Sequence, residues 1–276
     1  MVSSISLAIS NASLNGTYAF TSIGRGGDAP CAAIGIINFD GNGNVSGSST
    51  TNLPGSTSQE RLLVKASLQG TYTIDVDESG FGSCSLKSLV ADGSTQEIGY
   101  RFMINQVEAV DGSKVAKLVT LIQDKLDPVT GSLNTATATR LPDEGVFSLA
   151  SIKGTYSGIG FAWGGRAAIS GTGFITYDGK GNTHASNTQS FPGATFGERV
   201  FYTYDTPAGT YTVNEDGTGT IVSAQEYQIG AVADLVITKS KVLDGVKVAQ
   251  EYFFILRDLL PTGGLATSVI YKREPD

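Results

Sequence analysis

The chain contains two copies of one sequence, each about half of its length. The heptamer "NFDGNGN" begins at Asn38, and "TYDGKGN" begins at Thr176 with Asp, Gly, Gly and Asn at the same places. The triplet Gly-Thr-Tyr at Gly16 recurs at Gly154 with the same spacing, and further matches continue to the end of both halves. Solenoid repeats are only about 20 to 50 residues long, so this spacing predicts a duplicated domain.

Composition indicates that both copies are all-β. The 276 residues include 35 Gly, 11 Tyr and 12 Phe but only 2 Met. Glycines and aromatic residues suit short twisted strands joined by tight turns, and no segment has the Ala, Leu, Glu and Lys content of a long helix. We predict one domain at residues 1–142, with a short N-terminal extension, and a second at residues 143–276.

Asp-Gly pairs divide each copy into strands. In the first copy, Asp40-Gly41 and Asp111-Gly112 each separate two apolar or alternating runs. Such pairs favour tight hairpins because a positive φ costs little there. The spacing of the turns predicts about eight antiparallel strands per copy in meander order, and closure into an up-and-down β-barrel protects the strand edges. A β-sandwich is the alternative.

The triplet at the first predicted strand resembles a known motif. Gly16-Thr17-Tyr18 is similar to the Gly-x-Trp that opens many lipocalins, with Tyr in place of Trp. On this triplet and on the strand order, each half resembles the calycin-like and allene-oxide-cyclase-like small barrels. The resemblance implies a fold with a small apolar pocket in the barrel mouth, and it transfers no catalytic residue to this chain.

Charge and hydropathy argue against several classes of partner. The net charge is -7, and the 19 Lys and Arg residues are scattered along the chain. Nucleic acids and anionic membranes both require a concentrated positive surface, so neither is expected. No apolar run approaches the roughly 20 residues that span a bilayer. The start, "MVSSISLAIS", lacks the features of a secretory signal, which favours the cytoplasm for the sequence as given and leaves the compartment otherwise open.

The residues of the heptamer also resemble the first ligands of a calcium loop. Asp40, Asn42 and Asn44 have the right spacing, but an EF-hand needs Gly at its sixth place and Glu at its twelfth, and this chain has neither. Lys180 replaces Asn42 in the second copy, which favours turn chemistry. His184 is the only histidine, which excludes a multi-histidine zinc site, and it is predicted to lie on the surface. We expect no metal and no cofactor.

Two cysteines occur in the chain, both in the first copy. Cys31 and Cys84 have Ile169 and Ser223 near the matching places of the second copy, so a thiol pair is not part of the shared framework. Two cysteines in a chain of this length do not make a disulfide scaffold. We therefore favour buried free thiols over a disulfide.

One charged pair is predicted at the third hairpin of each copy. With Asp111-Gly112 in the turn, Arg101 lies diagonal to Asp124 on the neighbouring strand. The same counting places Asp234 diagonal to Arg257 in the second copy, with the charges exchanged. An ion pair survives such an exchange, whereas a catalytic acid does not, so a structural salt bridge is favoured.

The catalytic candidates are Glu251, Asp234 and Arg257. Glu251 is a carboxylate where the first copy has Leu118, so burial would raise its pKa into a range useful for general acid or base chemistry. Exposure at a barrel rim is the alternative. Asp234 is a possible second carboxylate, engaged by Arg257.

Aromatic residues point to the second copy as the one that binds a ligand. They recur two apart on predicted strands, so that neighbours share one face. Most are expected in the core, but the second copy is richer in them. The candidate substrate-binding residues are Phe161, Trp163, Tyr202, Tyr204, Tyr252 and Phe254.

Three functions fit these observations. The first is a cofactor-independent cyclase or isomerase that binds a small apolar or aromatic molecule in the barrel of the second copy. The second is a non-catalytic carrier with the same pocket. The third is a structural or surface protein that presents its loops to a partner. An enzyme requires a carboxylate inside a cavity, and the sequence leaves the substrate and the oligomeric state open.

Overall fold

The computed structural model describes residues 9–26, 30–57, 60–75, 79–110, 112–127, 130–165, 168–195, 197–225 and 228–274. These residues form two closed, eight-stranded antiparallel β-barrels in tandem, as the sequence predicts. Strands neighbouring in sequence are neighbours in space, and the last strand of each barrel pairs with the first. Within the described residues, no helix has the length and apolar content to cross a membrane.

The first barrel follows the N-terminal 3-10 helix Asn11–Ser13. Its strands are β1 (Asn15–Arg25), β2 (Cys31–Asp40), β3 (Asn44–Pro54), β4 (Arg61–Ile74), β5 (Phe81–Val90), β6 (Thr95–Val110), β7 (Ser113–Gln123) and β8 (Leu133–Arg140). The second barrel follows the 3-10 helix Leu149–Ser151. Its strands are β9 (Lys153–Trp163), β10 (Ser170–Asp178), β11 (Asn182–Pro192), β12 (Arg199–Val213), β13 (Thr218–Gln225), β14 (Gln228–Leu243), β15 (Val246–Leu259) and β16 (Leu265–Lys272).

The repeated heptamer forms the β2–β3 turn and the β10–β11 turn. The Asp40 carboxylate accepts the backbone N–H of Asn42 at 2.7 Å and of Asn44 at 2.9 Å, and the Asn44 side-chain amide at 2.6 Å. Asp178 accepts the same set of bonds from the residues two and four places on. The bond from Asn44, with the backbone bonds, lowers the pKa of Asp40. The prediction of turn chemistry is confirmed, and no metal-binding group of three His, Cys, Asp or Glu occurs among the described residues.

The third hairpin has the predicted register but a different ion pair. Asp111 lies outside the described residues, and Val110 pairs with Ser113 on either side of that turn. Arg101 forms its ion pair with Asp75 at 3.0 Å, not with the diagonal Asp124. The predicted ion pair between Arg101 and Asp124 is therefore wrong. The Arg101 guanidinium binds the carboxylate of Asp75, which also lies within its reach.

One end of each barrel is closed by a 3-10 helix and a buried tyrosine. The Tyr72 hydroxyl shares its proton between the carbonyls of Asn11, at 2.9 Å, and Leu14, at 2.8 Å. Tyr211 makes the equivalent bonds to the carbonyls of Leu149 and Ile152. A satisfied phenol can be buried without the cost of an unpaired polar group, so these rings fill the closed ends.

The two barrels share a hydrophobic core. The outward faces of β1 and β2 contribute Ala19, Ala32, Ile34 and Ile36 to the same buried cluster as Val236, Phe253 and Ile255, from the outward faces of β14 and β15. As a result β2 is apolar on both faces, and its sequence "CAAIGIINF" does not alternate. Each predicted repeat spans one barrel, and burial of their contacting walls joins the barrels.

Candidate functional site

The second barrel is hollow at the end opposite its 3-10 helix. The cavity has a volume of about 190 Å³. One wall has no side chains, since Gly158 and Gly160 of β9 face Gly171 and Gly173 of β10. Alanines and aliphatic side chains complete the apolar lining, among them Ala185, Ala231, Ala233, Ile169, Leu256 and Leu260.

The polar groups of this cavity are uncharged. Asn187 and Gln189 line one side, and the Gln189 side-chain amide donates to Asn187 Oδ1 at 3.1 Å. The Thr183 hydroxyl is buried without a hydrogen-bond partner in the described structure. The described lining contains no Asp, Glu, Lys, Arg or His. The cavity can therefore hold an apolar body and form hydrogen bonds to neutral polar groups, and its described lining has no charged side chain for proton transfer.

Three aromatic rings continue this inner face towards the open end. Tyr202 and Tyr204 pair in register with the cavity residues Gln189 and Asn187, and residues paired across strands share a face. The Tyr202 ring lies 5.6 Å from Phe191, edge to face, and 6.1 Å from Tyr204, stacked. The row forms an aromatic rim on one side of the opening.

The predicted aromatic residues lie in several different places. Phe254 lines the cavity and Tyr202 and Tyr204 form its rim, whereas the Phe161 ring lies on the outer face, 6.0 Å from that of Trp163. Tyr252 is fully buried at the closed end, where its hydroxyl lies 2.6 Å from that of Tyr177. The structure therefore brings only part of the predicted set to the cavity.

Trp163 lies between the barrels, outside the cavity. Its indole N–H donates to Thr267 Oγ1 at 2.8 Å, and the guanidinium of Arg25 in β1 lies 4.6 Å from its ring centroid. Its strand neighbour Ala162 faces the cavity, so the indole must point to the outer face. The ring thus contacts the first barrel.

We expect Arg25→Ala to shift the fluorescence of Trp163, the single tryptophan, to longer wavelength, because removing the guanidinium exposes one ring face to water. The loss of stability should be about 0.5–1 kcal/mol, the size of an exposed cation–π contact. Emission spectra and urea unfolding measure both effects. Arg101→Ala, which removes an arginine that pairs with Asp75, is the control and should leave the spectrum unchanged. An unchanged spectrum for Arg25→Ala would show that the contact does not form in solution.

Asp234 and Arg257 form a bidentate ion pair on the outer face of the second barrel. Arg257 Nε and a terminal nitrogen donate to the two carboxylate oxygens at 2.9 and 2.8 Å. The register partner of Asp234 is Ile255, which belongs to the core shared by the barrels. The hydrogen bond to Asp234 raises the pKa of Arg257. This geometry matches the predicted diagonal pairing and places both charges at the barrel contact, outside the cavity.

Glu251 also lies on the outer face. Its register partner on β16 is Tyr271, which is 48% exposed. The carboxylate accepts bonds from Thr238 Oγ1 at 2.8 Å and from Lys239 Nζ at 2.6 Å. The carboxylate is therefore held by two donors and does not line the cavity of the second barrel.

The remaining predicted residues have structural positions. The His184 side chain is 44% exposed and lies 3.4 Å from Asp205, as expected for a surface histidine. Cys31 and Cys84 are buried free thiols, which confirms that prediction. Burial raises the pKa of Cys84 to about 12, so its thiol is protonated at neutral pH.

The first barrel has a cavity of about 230 Å³ at the matching end. Its lining is more polar and includes Asp127, Gln96, Asn134, Cys31 and Tyr100. Both copies are thus hollow to a similar extent, although the sequence favoured the second. The two cavities therefore have similar volumes, and they differ in the polarity of the side chains that line them.

Sequence patterns did not predict the polar lining of the first barrel, but a signal was present. Charged residues distinguish the second copy in the sequence, whereas the residues that make one cavity more polar belong to the first copy. Cys31 corresponds to Ile169, Asp127 to Leu260, and Asn134 to Ala266. The 3-10 helices had a signal as well, because a Ser-x-x-Ser pattern precedes each Gly-Thr-Tyr, and the second serine accepts the backbone N–H of the first.

Comparison with protein-family models and with curated proteins finds no match to this chain.

Proposed function

We propose that this protein binds a small, uncharged, largely apolar molecule in the cavity of the second barrel and releases it unchanged. The observation that carries the proposal is a cavity with mainly apolar walls, a few neutral polar side chains and no ionisable group among its described lining residues. Binding in such a site requires burial of apolar surface and a few positioned polar groups, and needs no cofactor.

The volume limits the ligand to about one ring. Sites for drug-sized ligands measure roughly 300–1,000 Å³, and this cavity of about 190 Å³ is smaller. An apolar protein cavity of about 150 Å³ binds benzene, so a guest of roughly six to ten non-hydrogen atoms fits. The aromatic rim can stack on such a ring as it enters.

The positions of the charged residues favour a carrier over a cyclase or isomerase. General acid or base catalysis requires a titratable group within hydrogen-bond reach of the substrate. Glu251, Asp234 and Arg257 lie on the outer wall, so they support the enzyme less well than the carrier. The cyclase or isomerase activity stays a prediction, as does a relationship to the calycin-like or allene-oxide-cyclase-like barrels.

The proposal is tested by filling the cavity. Fluorobenzene is the probe, followed by ¹⁹F NMR, and we expect a dissociation constant of about 0.1–1 mM, typical of a ligand with few atoms to bury. Ala233→Phe places a ring in the cavity of the second barrel and should weaken this binding at least about tenfold.

Ala150→Phe is the matched control, because Ala150 is exposed on the 3-10 helix at the opposite end. It should bind fluorobenzene like the unchanged protein. Equal binding by both variants would place the probe elsewhere and contradict the proposal. Failure of the unchanged protein to bind fluorobenzene, toluene or indole would contradict it as well.

A further inference from the structure

The first barrel has a tyrosine where the second has an alanine. Tyr100 pairs in register with Gln123, and Ala233 pairs with Leu256 at the same place in the other barrel. Tyr100 is 5% exposed and lines the cavity of the first barrel. A large polar side chain thus projects into one cavity at the position where the other cavity is widened.

A continuous hydrogen-bond network surrounds this cavity near Tyr100. Asn134 donates its backbone N–H and its side-chain amide to Gln123 Oε1, at 3.0 and 2.7 Å. Cys31 Sγ lies 3.6 Å from Asn134 Oδ1 and 3.3 Å from Ser132 Oγ. The thiol has one proton, which it can donate to either of these oxygens. Each of these side chains therefore has its hydrogen bonds within the protein.

The network ends at a buried carboxylate. Ser132 Oγ lies 2.6 Å from Thr130 Oγ1, and Thr130 donates its backbone N–H and its hydroxyl to Asp127 at 2.8 and 3.1 Å. Gln96 donates to the other carboxylate oxygen at 3.1 Å. Asp127 is 6% exposed and belongs to the cavity lining. A buried carboxylate repels an anionic guest strongly at low dielectric, so the cavity favours a neutral or cationic one.

The hydroxyl of Tyr100 differs from those of the other buried tyrosines. Tyr18 and Tyr156 donate to the carbonyls of Ala116 and Ala249, and the remaining buried tyrosines are also hydrogen-bonded. Within the described part of the chain, the Tyr100 hydroxyl has no hydrogen-bond partner, and its oxygen is not among the fully buried unpaired atoms, as expected for a group that faces the cavity. Burial raises the pKa of Tyr100, so this phenol is protonated at neutral pH and offers a donor. A donor without a protein partner beside a cavity can bind a molecule in the cavity, either water or a ligand.

We propose that the first barrel is a second binding site, for an uncharged molecule of about one ring that carries a carbonyl oxygen, with Tyr100 as the hydrogen-bond donor. The apolar body lies against Phe20, Leu68 and Leu86, which line the same cavity. The cavity of about 230 Å³ holds a ring with a short polar substituent. The site is independent of the proposed function of the second barrel, because its lining residues belong to the first barrel.

The test compares two probes that differ in one carbonyl group. ¹⁹F NMR titrations use 4-fluoroacetophenone and fluorobenzene with the Ala233→Phe protein, whose second cavity is filled. We expect the ketone to bind about five- to tenfold more tightly than fluorobenzene, the effect of one neutral hydrogen bond. Adding Tyr100→Phe should abolish this preference and leave fluorobenzene binding almost unchanged. 4-Fluorobenzoate should not bind, because of Asp127.

A second measurement uses the unchanged protein and does not depend on Ala233→Phe folding. Tyrosine labelled with ¹³C at the hydroxyl-bearing carbon gives one signal per ring, and the Tyr100 signal is the one missing from Tyr100→Phe. The ketone should shift this signal, and fluorobenzene should shift it less. Equal affinity for both probes in the titration, or equal shifts, would mean that water alone occupies the cavity and would overturn the proposal. Neither result bears on fluorobenzene binding in the second barrel, which Ala233→Phe tests separately.

Discussion

Ile34→Asp should lower the free energy of unfolding by about 3–5 kcal/mol, the cost of leaving a charge buried without a partner. Ile34 is 2% exposed and lies on the outward face of β2, in the core that the barrels share. An aspartate there must either lose its hydration or separate the two barrel walls. Urea unfolding followed by circular dichroism measures the loss, and size-exclusion chromatography detects expansion of the pair.

The second copy supplies the control for this substitution. Thr172 occupies the position of Ile34 on β10, but it is exposed. Thr172→Asp should change stability by no more than about 0.5 kcal/mol, as for most surface substitutions. A loss below about 1 kcal/mol for Ile34→Asp would mean that the barrels do not share a core in solution. The comparison isolates the contact between barrels, because both residues lie on equivalent strands.

Asn52→Ala should cost about 2–4 kcal/mol, since several buried groups lose their partners at once. Asn52 is 2% exposed, and its amide donates to the carbonyls of Leu256 and Arg257 at 2.8 and 3.0 Å. Its side-chain oxygen accepts Arg61 Nε at 2.6 Å. One side chain therefore connects β3 of the first barrel to β15 of the second and also orients Arg61.

Ser190→Ala is the matched control for this prediction. Ser190 accepts Arg199 Nε at 2.9 Å, as Asn52 accepts that of Arg61, but the bond is exposed and makes no contact between barrels. It should cost less than about 1 kcal/mol. Chemical unfolding of both variants gives the comparison, and equal losses would contradict the role of Asn52 at the barrel contact.

The positions of the aromatic residues show how far sequence patterns reach into the site. Alternation predicts that Phe161 and Trp163 share a face, and the ladder shows that this face is the outer one, since Ala162 faces the cavity. If the predicted inward positions of a strand are shifted by one residue, every side chain moves to the opposite face. Aromatic residues are compatible with either face, so they do not identify the inner one. Phe254 lies in the cavity lining, but its strand neighbours Phe253 and Ile255 on the outer face are equally apolar, so composition alone does not distinguish the two faces.

Local chemistry in the sequence determined the two-barrel architecture. The duplicated heptamer forms the same Asp-bonded turn in both copies, and turns at regular spacing connect neighbouring antiparallel strands. These features depend on residues close together in the chain. Only the tertiary structure decided which side chains face each cavity and which wall of each barrel is covered. Cys31, Tyr100 and Asp127 meet because closure of the barrel brings distant strands together. The Asp234–Arg257 pair lies outside the cavity because the register of β14 and β15 places both side chains on the outer face. The composition of these strands does not specify which face is the outer one.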